Sequence, residues 1–95
     1  MRDKIPQIVL EKEGKPPMVR IAHAQEYEEA ICDKIIEEMQ ELRGARNAEE
    51  AADVLEALRA FCAFHKIPWG QVEIVRREKK KKRGGFAKRI IMEVP

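Results

Sequence analysis

The stretch from Ile36 to Glu56 constrains this chain of 95 residues more than any other. It reads as the end of one helix, a tight turn, and the start of another. Acids recur three residues apart on each side: Glu38 and Glu41 before the turn, Glu50 and Asp53 after it. The pairs are mirror images, with Glu41 and Glu50 equidistant from the turn's midpoint, as are Glu38 and Asp53. In an antiparallel hairpin mirrored positions share a height, so the four carboxylates are expected to converge between the two helices.

Phase gives that convergence its meaning. At about 100° per residue, Tyr27, Ile31, Ile35, Met39 and Leu42 form the apolar stripe of the first helix. Glu38 falls within it and Glu41 at its edge. On the second helix the stripe is Val54, Ala57, Leu58, Phe61, Cys62 and Phe64; Glu50 falls within it and Asp53 at its edge. A carboxylate drawn out of water must be protonated, paired with a base or bound to a metal. Lys34 and Arg43 are the bases nearest in sequence. An all-oxygen donor set suits a hard divalent cation, Mg²⁺ or Mn²⁺, rather than zinc or copper. The competing expectation is a hairpin whose acids are merely solvated or salt-bridged.

The length suits one domain spanning residues 1–95, small enough to lean on oligomerisation for its core. A charged fraction of 38% beside an apolar fraction of 44% points to a soluble globular chain. The net charge of +2 argues against a polyanion binder as a whole, but acids gather between Glu26 and Glu56 and bases between Arg76 and Arg89. The start lacks the apolar run of a signal peptide, and no stretch has the length of a membrane span. Cys32 and Cys62 lack metal-site spacing and are expected to be free thiols, in keeping with a cytoplasmic location.

Along the chain, Pro6 suits the start of a short helix. Gly14 to Pro17 is a turn, and Met18 to Ala22 a short extended piece. The first long helix is expected over Ala24–Leu42, ended by Gly44. Asn47 is expected to cap the second, Ala48–His65, without a return bond from Glu50. A third helix is expected over Pro68–Lys82, closed by Gly84 and Gly85, its lysines against the negative end of its dipole. Phe86 to Pro95 reads as a tail or a short strand that packs on the domain or pairs with Met18–Ala22. Trp69 is expected to pack in the core, and His23 and His65 to sit at the surface or in satisfied packing.

These motifs together resemble a family. Glu37-Glu38-Met39-Gln40-Glu41 followed by Glu50-Ala51-Ala52-Asp53 matches the E-E-x-x-E and E-x-x-D signature of the all-α nucleoside triphosphate pyrophosphohydrolases, the MazG-like superfamily. Arg2-Asp3-Lys4-Ile5-Pro6 and Arg83-Gly84-Gly85-Phe86, followed by Lys88-Arg89-Ile90, look like its phosphoribosyl-ATP pyrophosphohydrolase-like, house-cleaning subgroup. The resemblance implies Mg²⁺-dependent cleavage between the α- and β-phosphates of a nucleotide, giving a monophosphate and pyrophosphate. It implies Glu38, Glu41, Glu50 and Asp53 as metal ligands, and Glu37 as a further ligand or a water-orienting base beside the catalytic Glu38 and Glu50. Lys79 and Arg83, four apart on one helix face, resemble the family's nucleotide contact; Arg2, Lys4 and Arg89 are further substrate-binding candidates. The spacer between Glu41 and Glu50 is shorter than in many members.

The expectation is therefore an all-α protein, a helical hairpin plus a third helix, with a four-helix-bundle-like core completed by a homodimer or homotetramer in which bases of one chain serve the acids of another. A phosphoribosyl-ATP substrate is the alternative within the enzyme class. Outside it, the alternative is an oligomeric helical module binding nucleic acid through Lys79–Arg83.

Overall fold

A computed structural model describes residues 1–94; Pro95, the last residue of the expected tail, lies outside the described residues. It is all-helical, with α1 over Ile5–Glu13, α2 over Ala24–Ala45, α3 over Ala48–Phe64 and α4 over Trp69–Arg83. No strand occurs among the described residues, so Met18–Ala22 and the segment after Phe86 do not pair.

The hairpin of α2 and α3 is the body of the molecule, as its mirrored pattern requires. Its register is visible at the open end, where the Tyr27 and Phe64 rings meet at 4.9 Å between centroids. These two residues are equidistant from the turn, like Glu38 and Asp53. Ile31, Ala57 and Cys62 are its buried residues. The side chain of Ala57 is short enough to let the helices approach closely.

The turn is built from two caps. Gly44 does not end α2; the helix continues to Ala45 and Arg46 takes the left-handed conformation, with φ of 54°. Its amide donates to the Leu42 carbonyl at 2.8 Å. A single glycine costs a helix only about 1 kcal/mol, so it is tolerated one residue before the end. Asn47 then caps α3, its Oδ1 accepting from the Glu50 amide at 2.9 Å. At the start of α2, His23 serves as cap, Nδ1 accepting from the Glu26 amide at 3.3 Å.

Two residues expected in the seam lie outside it. Met39 and Leu58 are exposed, together with Ile36 and Leu55. By helical phase Ile36 and Met39 lie on one flank of α2, and Leu55 and Leu58 on one flank of α3. Because the helices are antiparallel, both flanks face the same side of the hairpin. The seam between two helices is narrower than the apolar stripe each carries, which leaves an uncovered apolar flank.

The remaining elements hold the hairpin lightly. α1 ends at Gly14, with φ of 73°, and packs against no other helix. α4 packs on α3 through its first turns: Trp69, Val72, Glu73 and Val75 are half-buried, and every described residue from Arg76 onward is exposed. The Arg59 guanidinium sits 5.0 Å from the centroid of the Trp69 ring, so Trp69 joins α4 to α3 at the margin of the fold. The radius of gyration, 17.7 Å, far exceeds the value of about 13 Å for a compact chain of 100 residues. One copy of this chain does not close a core around its apolar surface.

Candidate metal centre

The hairpin register brings Glu38, Glu50 and Asp53 together, one carboxylate oxygen of each within 4.8 Å of the others, all half-buried. Glu38 comes from α2 and the other two from the first turns of α3, so the site exists only where the two helices are paired. Glu41 is not one of the three. It is exposed, beside Glu37, Gln40, Gly44 and Ala45, around an open depression of about 540 Å³. Its charge still reaches the cluster.

Two bases partly neutralise the group. Lys34 Nζ, one turn before Glu38 on α2, lies 3.1 Å from Glu38 Oε1 and 3.5 Å from Glu37. The hydrogen bond to Glu38 and the field of Glu37 raise the lysine's proton affinity against the opposing effect of burial. Arg2 reaches in from the N-terminal segment, Nη2 donating to Asp53 Oδ1 at 2.5 Å. Arg2, a substrate-binding candidate by its sequence motif, faces an acid of the cluster. No periodicity links residue 2 to residue 53, so only its place in the Arg-Asp-Lys opening could have singled it out.

Among the described residues, no base pairs with Glu50. Burial raises its pKa first, and the charges of Asp53, Glu41, Glu38 and Glu49 raise it further. Glu50 is thus the group on which the unrelieved charge of the site falls. The donor set, three carboxylates from two helices in partial burial, is of the hard-oxygen kind that suits Mg²⁺ or Mn²⁺.

The other sequence candidates stand apart. Lys4 precedes α1 and is exposed. Lys79 and Arg83 lie on the exposed second half of α4, and Arg89 is exposed beyond it with φ of 55°. None of these four pairs with an acid of the cluster. His65 is satisfied as expected, 3.5 Å from Glu28 and packed against the Phe61 and Phe64 rings. Cys32 and Cys62 are free thiols. Among the described residues no helix is long and apolar enough to cross a membrane.

No protein-family model, curated protein or solved structure matches the chain.

Proposed function

We propose that this protein is a Mg²⁺-dependent nucleotide pyrophosphohydrolase that cleaves the α–β phosphate bond of a non-canonical nucleoside triphosphate to a monophosphate and pyrophosphate. The observation that carries this reading is the convergence of Glu38, Glu50 and Asp53 within 4.8 Å. The resemblance of the surrounding motifs to the MazG-like pyrophosphohydrolases supports it. Glu38, Glu50 and Asp53 would hold the cation, with Glu41 completing the set from the edge. A divalent ion bound there supplies charge neutralisation for the phosphates and acidifies a bound water.

The chain's own groups prepare the rest. The side chains of the Arg2–Asp53 pair are 58% and 41% exposed, and pairs open to water in this way are worth about 0–1 kcal/mol. Its displacement by a cation therefore costs little. Glu50, which no base pairs with among the described residues, would take the proton of the attacking water. Glu37 orients that water from the rim. Lys79 and Arg83 would meet the charge of the departing pyrophosphate, assisted by Arg2, Lys4 and Arg89, since phosphoryl transfer is governed by positioning and charge stabilisation.

The active form is a homodimer or homotetramer, supported by the uncovered flank of the hairpin, with sites shared between subunits and a cytoplasmic location. The test is pyrophosphate release from a panel of standard and modified triphosphates and phosphoribosyl-ATP, with Mg²⁺ or Mn²⁺. Glu50→Gln is expected to lose about 100-fold or more of the rate, the scale of general-base catalysis, while its circular dichroism stays helical. Undiminished turnover by that variant would overturn the site; release from no substrate by the native protein would overturn the function.

A further inference from the structure

The second half of α4 and the segment after it form an arm that the rest of the chain does not cover. From Arg76 to Val94 every residue is exposed, and Phe86, Ile90, Ile91, Met92 and Val94 are 81–98% exposed. Gly84, with φ of 83°, lets the chain turn between helix and tail. Nine bases and one acid lie between Arg76 and Arg89, against eleven acids and three bases between Glu26 and Glu56. Arg76 and Arg77 turn back onto Glu73 of their own helix. Among the described residues Lys79 to Arg83 have no ion-pair partner.

The hairpin has the opposite surplus. It is acidic, and its flank of Ile36, Met39, Leu55 and Leu58 is apolar and open. A nucleic acid or an anionic membrane would take up the lysines, but the acidic hairpin repels a polyanion, and a phosphate backbone leaves Ile90, Ile91 and Met92 in water. A second copy of the chain answers every term: its acids attract the arm, and its flank covers the tail. The arm's own hairpin is engaged only through Trp69–Val75, leaving its flank free for the partner.

We propose that two copies exchange arms, residues 76–94 of each lying against the hairpin of the other, with the apolar tail on the Ile36–Met39–Leu55–Leu58 flank. The contact is isologous, each copy giving and receiving the same segment. It rests on the homo-oligomer of the proposed function and goes beyond it by naming the segment that crosses. It also carries Lys79 and Arg83 towards the partner's acids.

Sedimentation equilibrium at micromolar concentration, without metal or nucleotide, tests it. The native chain is expected to be a dimer. The tail double variant Ile90→Asp/Ile91→Asp and the flank double variant Leu55→Asp/Leu58→Asp are each expected to raise the dissociation constant at least tenfold with unchanged helical content. An equimolar mixture of the two retains one intact arm-to-flank contact and is expected to recover a heterodimer. If the flank variant fails to fold, the tail variant alone decides. A tail variant that dimerises as tightly as the native chain overturns arm exchange but not the oligomer, and so does a mixture without heterodimer. A monomeric native chain overturns both. Glu50→Gln is expected to dimerise normally, which separates this assembly from the catalytic reading.

Discussion

The hairpin of α2 and α3 and the arm that begins at Arg76 are both dense in charge, yet they place it differently. On the hairpin, packing dictates where each acid stands: Glu38, Glu50 and Asp53 are half-buried and mutually close because the helix register leaves them no alternative. Within one copy, nothing packs on the arm, and its lysines spread into water. Burial, and after it the converging charge of neighbouring acids, raises the proton affinity of Glu50, whereas an exposed run acts mainly at a distance. The lesson is that local charge density says little about chemistry until packing fixes its geometry.

The largest expected effect tests the packing half of that contrast. Ile31→Ala should cost about 2–5 kcal/mol, the usual scale for emptying a buried aliphatic site, and should open the acid cluster with the hairpin. Lys81→Ala on the arm should lie within about 0.5 kcal/mol of the native chain, as surface changes usually do. Urea denaturation of both measures the difference, and similar midpoints would mean that packing at Ile31 contributes no more than one charge on the arm.

Next comes the function of the arm. Lys79→Ala and Arg83→Ala should each raise KM roughly tenfold or more, since hydrogen bonds to charged groups are worth about 1.5–3 kcal/mol. Thermal stability should be unchanged. An unaltered KM would leave the arm without a role in substrate binding.

Much of this was legible in the residues. The mirrored spacing of Glu38, Glu41, Glu50 and Asp53 fixed the hairpin register, which the Tyr27–Phe64 contact repeats. The end of α2 was not legible, because Gly44 permits a stop without forcing one and Arg46 adopts the left-handed cap instead. Met39 and Leu58 fall on the apolar stripes yet outside the seam, because periodicity gives a stripe's direction but not the width its neighbour covers. The Arg2–Asp53 contact spans 51 positions and follows from no local pattern. The absence of pairing between Met18–Ala22 and the tail reflects the same limit, since apolar composition does not say which chain covers it.

A smaller effect is expected at the turn. Arg46→Gly should stabilise the fold by about 0.5–1 kcal/mol, because the left-handed cap costs glycine little. A loss of stability would mean that the Arg46 side chain contributes more than its backbone costs.

The smallest is a pH effect without metal. The pKa of Glu50 is raised in the folded state, so the folded chain holds this proton more tightly than the unfolded one. Its contribution to stability is therefore lost as pH rises from the ordinary glutamate range through the raised value. Glu50→Gln should flatten that decline in thermal melts taken in a chelator. A decline of the same steepness in the variant would place the strain elsewhere.

The central claim is that packing has gathered these carboxylates into a site for a divalent cation. Thermal melting of the native chain and of Glu50→Gln, each titrated with Mg²⁺ and Mn²⁺ at constant ionic strength, tests it most directly. The account expects a saturable rise in Tm for the native chain and a much weaker one for the variant. Equal shifts in both proteins, or none in either, would contradict it.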